Sequence, residues 1–320
     1  MLTTILTTDW GLRYPIIGAP MANTAHGRLA RAITAGGGLG MIGIGGKETQ
    51  ELIERESAIA RGAKFGIGLL AWVLDARPDL FDIAVRQEPF LISISFGSVR
   101  PYADRLHRAG ILLATQVNSR ATALEAQSAG ADIIVAQGTE AGGHTGSVGT
   151  LPLLQMVLDT VTKPVIAAGG IASPRGVAAA LAAGAAGVWV GTAFLLCPES
   201  LTTDAAGKRI VAASENDTIL TPVFDRANRQ AWPPQHPGRA LKNKFTEQWH
   251  GREEELVVND AEMVRFRAGA DARDYDITSI FAGQAVGMLD RPRSAEEVVR
   301  SLGDGAEQLL RSRAGELLGD

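Results

Sequence analysis

Short apolar runs alternate with longer amphipathic segments through the first two thirds of the chain. Each apolar run spans four or five residues, a length typical of parallel strands that are buried on both faces. The runs predict strands at residues 15–18, 39–42, 65–69, 91–94, 112–116, 133–136, 165–168 and 188–191. The segments between them predict helices at residues 27–35, 49–61, 78–87, 99–109, 119–129, 151–160 and 174–183.

Eight strand–helix units favour an α/β fold of the TIM (β/α)8 barrel type, because crossover helices cover a parallel sheet on its outer side. A doubly wound open sheet is the alternative. The alternation ends near residue 194, and further helices are expected at 199–213, 245–268 and 294–312. We therefore expect a barrel over residues 1–213, an α-helical cap forming a substrate region over 214–280, and a C-terminal segment, 281–320, whose helix returns to the barrel.

The composition argues against several functional classes. The chain has 320 residues and a formal net charge of −4, and it contains no basic cluster interleaved with aromatic residues that would indicate nucleic-acid binding. Cys197 is the single cysteine, which excludes an intrachain disulfide and a cysteine-based zinc cluster. The N-terminus lacks the pattern of a signal peptide, and the uncharged stretch 176–197 divides into a helix and a strand. We expect a cytoplasmic protein that binds neither a membrane nor a metal ion.

The segment after the sixth predicted strand has the composition of a binding loop. It begins at residue 137 with QGTEAGGHTG and contains four glycines, one carboxylate and one imidazole. Gly142 and Gly143 let the backbone approach a ligand, and His144, the candidate catalytic residue, can donate, accept or take up a proton. Glu140 could orient His144, and a solvated carboxylate is the alternative. The remaining histidines are expected to be structural or at the surface: His26, His107, His236 and His250.

Two glycine turns after the seventh and eighth predicted strands suit a phosphate group. Backbone N–H groups and the N-terminus of the helix near Pro174 can converge on a dianion without help from a positive side chain. The loops at these positions are the usual phosphate site of such barrels. The candidate phosphate-binding residues are Ala168, Gly169, Gly170, Gly191 and Thr192.

Other strand ends suit a flat conjugated ring. The first strand ends in Ala19-Pro20-Met21, which offers a rigid backbone edge and a soft thioether. Taken by itself, this segment is better explained by a core methionine beside a proline turn. Two glutamine amides could face ring carbonyls and nitrogens. Because the carboxyl ends of barrel strands form one rim, we expect these positions and the phosphate turns to make one cofactor site. The ring-contacting candidates are Ala19, Pro20, Met21, Gly68, Gln116 and Gln137.

Several motifs resemble those of the nitronate monooxygenase family, also called 2-nitropropane dioxygenases. They are PIIGAPM, GGGLGMIG, VAQGTEAGGHTG, PVIAAGGI, GVWVGTAF and AGQAVGML, and they run from residue 15 nearly to the C-terminus. The resemblance implies an FMN-dependent TIM barrel with a helical cap. It also implies that a small-molecule nitronate is oxidised by O2 to nitrite and a carbonyl compound. The sequence leaves open whether the protein forms a homodimer.

The resemblance also assigns roles by position. Pro20 and Met21 would lie against the isoalloxazine, Gln137 and Gly142 would line the flavin, and the two glycine turns would hold its phosphate. His144 matches the family's active-site histidine, which hydrogen-bonds the anionic substrate or acts as a base toward a neutral nitroalkane.

One position departs from the family pattern, and one segment gains no role. Gly68 stands where many members have asparagine, so a side-chain amide contact to the flavin is missing there. Asp225 and Arg226 lie in TPVFDRANRQ, which resembles a family segment, and they are assigned no chemistry.

Two other functions stay open at this point. Flavin-dependent enoyl-ACP reductases share the AGGH loop and the phosphate turns, and such an activity would need NAD(P)H and an acyl carrier. A flavin-binding module without catalysis is the second, and it would not require His144.

Overall fold

The computed structural model describes residues 2–319, and it confirms the eight predicted strands as one parallel barrel sheet. The strands run in the order β1-β9-β8-β6-β5-β4-β3-β2. Hydrogen bonds from the Leu39 N–H to the Ile16 carbonyl and from the Gly18 N–H to the Leu39 carbonyl, both 2.9 Å, join the two ends of this sheet. The strands are β1 Ile16–Gly18, β2 Gly40–Gly43, β3 Phe65–Leu70, β4 Leu91–Ser95, β5 Leu112–Val117, β6 Ile133–Gln137, β7 Gly143–His144, β8 Val165–Ala168, β9 Gly187–Val190, β10 Thr218–Thr221 and β11 Gly238–Leu241.

Helices surround the barrel, and none in the described part of the chain is long and apolar enough to cross a membrane. The α-helices are α1 Ile5–Thr8, α2 Gly27–Ala35, α3 Gln50–Ala60, α4 Ala71–Ala76, α5 Asp79–Arg86, α6 Arg100–Arg108, α7 Arg120–Ser128, α8 Thr150–Leu158, α9 Pro174–Ala182, α10 Asp204–Ala212, α11 Val223–Asn228, α12 Lys244–Trp249, α13 Glu253–Val257, α14 Asp260–Asp271 and α15 Ala295–Leu318. Short 3-10 helices occupy Thr192–Phe194, Glu215–Asp217 and Gln284–Met288.

One long helix expected at residues 245–268 is instead the three helices α12, α13 and α14. Gly251 interrupts it with a left-handed φ of +81°, a conformation that a continuing helix cannot contain. Asn259 begins α14, because its side chain accepts a hydrogen bond from the backbone N–H of Glu262. Local backbone conformation therefore overrode the helical periodicity of this segment.

The barrel interior is filled from its N-terminal end. Ile17, Met41, Val135 and Trp189 belong to an apolar cluster inside the strands, and residues from α1 and the turn after it close the cluster below. Trp10 packs edge-on against Phe90, with ring centroids 5.2 Å apart. The filled floor leaves the opposite rim, at the carboxyl ends of the strands, as the place for a site.

The segment 214–280, here called the cap, contains the helices α11 to α14 and also the strands β10 and β11. Phe224, Phe245 and Phe266 form the centre of its own apolar cluster. Strand β11 pairs antiparallel with β10 on one side and with β7 of the barrel loop on the other. The cap is therefore joined to the His144 loop by backbone hydrogen bonding.

The C-terminal helix α15 returns to the barrel, where it packs on α9 and α2. The Tyr14 hydroxyl donates a 2.5 Å hydrogen bond to Asp304, which fixes the Tyr14 ring against the helix. A Cβ atom added to Gly303 would lie only 2.1 Å from Cδ1 of that ring. Glycine at residue 303 is therefore required for the close approach of α15.

We predict that Gly303→Ala lowers the free energy of unfolding by about 1–3 kcal/mol, the usual effect of overpacking. In a helix, alanine is more favourable than glycine by about 1 kcal/mol. The same substitution at an exposed helix position would therefore raise the free energy of unfolding. Thermal melting of Gly303→Ala beside Ser301→Ala, an exposed site in α15, measures the effect. An unchanged or higher Tm for Gly303→Ala would contradict the packing described here.

Candidate active site

The sequence-predicted residues meet at the rim formed by the carboxyl ends of β1, β3, β5, β6, β8 and β9. Gly68, Gln137 and Ala168 are buried, whereas the others are partly exposed at the barrel mouth. The partly exposed set is Ala19, Pro20, Met21, Gln116, Gly142, Gly143, His144, Gly169, Gly170, Gly191 and Thr192.

The turn after β8 has the geometry of an anion cradle. Gly169 and Gly170 both have left-handed φ values, +105° and +70°. Within residues 2–319, the N–H groups of these two glycines donate no hydrogen bond, and Thr192 begins a 3-10 helix whose first N–H groups are likewise free. Such unpaired amides at adjoining strand ends fit a phosphate group, which needs several donors at once.

The first predicted turn is held at the rim by two glycines. A Cβ on Gly68 would lie 2.3 Å from Cβ of Pro20, and a Cβ on Gly43 would lie 2.5 Å from the Met21 carbonyl carbon. Sulfur of Met21 is 3.5 Å from the position of a Cβ on Gly191. Gly68 therefore makes room for Pro20, so glycine there has a packing reason that is independent of any ligand.

Asn118, which the sequence analysis did not single out, orients the buried Gln137 amide. Nδ2 of Asn118 donates to the Gln137 carbonyl at 2.7 Å and to Oε1 of the Gln137 side chain at 3.2 Å. A backbone carbonyl only accepts, so this pairing fixes which Asn118 atom is the donor. The Nε2 group of Gln137 is a donor that this pairing does not use.

His144 is held by Asp225, a residue to which the sequence analysis gave no chemistry. Both carboxylate oxygens lie 3.0 Å from Nε2 of His144, and the two side chains are only 9% and 8% exposed. A carboxylate accepts hydrogen bonds, so Nε2 carries the hydrogen and Nδ1 is the nitrogen available to a ligand. No set of three or more His, Cys, Asp or Glu residues in the described chain could hold a metal ion.

Glu140 was considered from sequence as a partner of His144 or as a solvated carboxylate; in the structure it is partly exposed and hydrogen-bonds Thr150. Oε2 of Glu140 accepts hydrogen bonds from the N–H and the hydroxyl of Thr150, both 2.8 Å. Glu140 thus accepts from the first residue of α8 and joins the loop to the start of that helix. The carbonyl of Glu140 accepts from Gln284, and a Cβ on Gly142 would lie 2.6 Å from the Gly283 nitrogen, so the late AGQAVGML motif packs directly on this loop.

Arg239 fastens the other side of the same loop. Its buried guanidinium donates to the Thr139 carbonyl at 2.8 Å and to the Thr218 hydroxyl at 3.2 Å. Burial lowers the pKa of Arg239, and the charge of Glu140 acts in the opposite direction. Arginine stays charged despite such a shift, so it provides a fixed donor that couples β10 and β11 to the loop.

Aromatic rings surround His144 on its remaining sides. The indole of Trp232 stacks on the imidazole with ring centroids 3.3 Å apart and an interplanar angle of 6°. Phe281 lies 5.6 Å from His144, and Phe96 lies 5.1 Å from Trp232. Phe96 has a left-handed φ of +64°, a conformation that costs a non-glycine residue about 1–2 kcal/mol and that gathers at functional sites.

His236, expected to be structural or at the surface, lies beside this group. Its ring is 5.2 Å from that of Phe96, and Nδ1 is buried without a hydrogen-bond partner. Burial lowers the pKa of His236 from 6.5, and nearby His144 adds to the effect, while the Thr145 backbone opposes it. His236 lies in the segment WPPQHPG. This proline-rich segment has no apolar periodicity, so the sequence does not predict that His236 packs against Phe96.

We predict that His236 makes the protein less stable in acid. The folded pKa is lowered, so the unfolded state binds more protons below about pH 6.5, and stability is lost as the pH falls from there. Thermal melting of the wild type and His236→Gln at pH 7.5 and about pH 5.5 measures this. The variant should lose less of its Tm on acidification, and an equal loss would contradict a lowered pKa for this half-buried ring.

Comparison with known proteins agrees with this architecture. The family model described as nitronate monooxygenase matches residues 80–305. A Staphylococcus aureus protein named "Probable nitronate monooxygenase" is 30% identical, over 88% of this chain and 91% of its own length. The solved structure of a nitroalkane oxidase from Streptomyces ansochromogenes is 28% identical with a TM-score of 0.80, covering 95% of this chain and 98% of that one.

A further relative differs in its named activity. A carboxyl-CoA dehydrogenase of Rhodococcus jostii that acts on an octahydroindene compound is 36% identical over 70% of this chain. The chain spans 64% of that protein's length, less than two thirds. The family model covers more than half of the chain, and the Staphylococcus protein matches along nearly its whole length. The chain therefore belongs to the nitronate monooxygenase family, whose members are flavin-dependent oxidoreductases.

Proposed function

We propose that the protein binds FMN and oxidises nitronates with O2, giving nitrite and a carbonyl compound. The observation that carries this proposal is His144, which Asp225 holds at the barrel mouth with one ring nitrogen free. It stands on the loop that adjoins the unpaired amides of the β8 turn. A reacting group and an anion cradle on one rim suit a substrate that reacts beside a phosphorylated cofactor.

The donor set of the rim fits FMN. Gly169, Gly170, Gly191 and Thr192 would hold the phosphate through backbone N–H groups, because that part of the rim offers free amides and needs no basic side chain. FMN, when bound, would accept electrons from the nitronate and pass them to O2.

The ring-contacting residues complete that fit. Ala19, Pro20 and Met21 would supply an apolar edge for the ring, and Gln116, Gly142 and Gly143 would line it. Nε2 of Gln137 would donate to a ring acceptor, since Asn118 occupies the oxygen of that amide. Ala168 is only 3% exposed and would support the turn from below, as Gly68 supports Pro20.

His144 would bind the substrate charge. A nitronate is already deprotonated, so the group it requires from the protein is a hydrogen-bond donor more than a base. A protonated imidazole donates from Nδ1 to a nitronate oxygen, while Nε2 stays on Asp225. Toward a neutral nitroalkane, the neutral imidazole would instead take the α-proton on Nδ1. Burial of the pair excludes water and strengthens both interactions.

A reductase or dehydrogenase is the second candidate. The name of the Rhodococcus relative favours it, since the removal of hydrogen beside a thioester also uses a base and a flavin-type acceptor. An enoyl-ACP reductase would share the rim and would draw electrons from NAD(P)H. The two activities differ in the compound that reduces the flavin.

An anaerobic titration separates these candidates. The FMN-loaded protein is mixed with ethyl nitronate in one cell and with NADH or NADPH in another, and the absorbance of the oxidised flavin is followed. We expect the nitronate to remove the absorbance of the oxidised flavin, and NADH or NADPH to leave it unchanged. Rapid loss of the flavin absorbance with NADH or NADPH alone would overturn the proposal in favour of a reductase.

We predict that His144→Ala lowers kcat/KM for a nitronate by about a hundredfold or more, because the donor to the anion is lost. Asp225→Asn keeps a hydrogen-bond acceptor and removes only the charge, so we expect a smaller loss, about tenfold. Arg226→Gln, next in sequence and exposed, is the control and should retain the wild-type rate. FMN content should match the wild type in all three, and undiminished turnover in His144→Ala would refute its role.

We predict that Gly170→Val purifies without FMN. The residue has a φ of +70°, and a Cβ there lies 3.2 Å from Cβ of Glu140, so a branched side chain would displace the cradle. Gly176→Ala in α9 is the matched control, since its Cβ meets Ile171 at an ordinary 3.4 Å. The ratio of flavin absorbance to protein absorbance measures occupancy, and a fully yellow Gly170→Val protein would exclude this phosphate site.

A further inference from the structure

Four aromatic residues form one surface beside His144, here called the aromatic wall: Trp72, Phe96, Trp232 and Phe281. Aromatic residues make up only 5% of the chain, so their concentration at one point is a local feature. The four come from separate segments, namely α4, the turn after β4, the connection before β11 and the segment after the cap. Barrel and cap both contribute, so the wall lies where the two parts meet beside His144.

The wall presents flat faces and edges rather than an irregular apolar surface. Trp232 meets Trp72 and Phe96 edge-on, at 5.2 and 5.1 Å between ring centroids. Its face covers the His144 ring at 3.3 Å. The structure thus already accommodates one planar ring against the imidazole.

Two observations indicate that the wall serves a ligand. Phe96 is held in a left-handed backbone conformation, which is retained where the surroundings or a function require it. Nε1 of Trp72 is buried and has no hydrogen-bond partner among the described residues, so it is a donor that a ligand oxygen could satisfy. The connection that carries Trp232, residues 229–237, has neither helix nor strand, and Trp232 is partly exposed.

We propose that the aromatic wall receives an aromatic ring attached to the reacting carbon, so that arylalkyl nitronates are preferred over short alkyl nitronates. This inference rests on the proposed function and adds the class of substrate to it. Aromatic rings gain edge-on and offset stacking contacts that an ethyl group of any orientation cannot make. Phe96 and Trp232 are then the residues that determine specificity.

The first test compares two nitronates. We expect kcat/KM for phenylmethyl nitronate to exceed that for ethyl nitronate by about tenfold or more in the wild type. Phe96→Leu and Trp232→Leu should each bring that ratio close to one. Phe90→Leu removes a ring that packs on Trp10 at the floor of the barrel, and it should keep the wild-type ratio.

The second test measures binding without turnover. Nitrobenzene and 2-methyl-2-nitropropane both lack a hydrogen on the nitro-bearing carbon, so neither can form a nitronate, and only the first is flat. We expect nitrobenzene to bind with a Kd about tenfold lower, followed through the flavin spectrum and tryptophan fluorescence. Phe96→Leu should remove most of this difference, while Phe90→Leu should preserve it.

The outcomes separate this inference from the proposed function. Turnover of ethyl nitronate with no preference for the aryl compound, or equal Kd values for the two probes, would overturn the aromatic preference and leave nitronate oxidation intact. Failure of both nitronates to reduce the flavin would overturn the proposed function and, with it, arylalkyl nitronates as the substrate class.

Discussion

The antiparallel pairing of β7 with β11 is the contact on which the site depends. Gly143 lies opposite Arg239 and His144 lies opposite Gly238, so two residues of a barrel loop are fixed to the edge of the cap. A Cβ on Gly238 would approach Nε2 of His144 at 3.4 Å, and glycine there leaves the imidazole free to reach Asp225. Because the pairing sets the backbone of both partners, it also sets the distance between the ring and the carboxylate.

The barrel could be predicted from sequence because its information is local. Each strand is a short apolar run and each helix carries its own periodicity, so all eight barrel strands were found within a few residues of their true ends. The glycine turns were equally visible, since a left-handed conformation such as that of Gly169 leaves a signature at a single position.

The surroundings of His144 could not be predicted in the same way. Asp225 is 81 residues away in sequence, and nothing in TPVFDRANRQ indicates which histidine it meets. Phe96, Trp232 and Trp72 each read as ordinary apolar residues, because a shared wall exists only once the cap lies on the barrel. The strands β10 and β11 are not predicted for a different reason: their sequences, TILT and GRAL, are interrupted by polar residues and lack the continuous apolar run that marks the barrel strands.

Because Asp225 lies in the cap and His144 in a barrel loop, their contact can be lost while the barrel stays folded. The glycine turns proposed to hold phosphate belong to the barrel, whereas the contact between His144 and Asp225 requires the cap to lie on the barrel. If FMN binds at these turns as proposed, partial opening of the cap would leave a protein that keeps its flavin but has lost the paired imidazole and carboxylate. Under that proposal, retention of the flavin and competence for reaction are separable properties, and flavin colour alone would not measure an intact site.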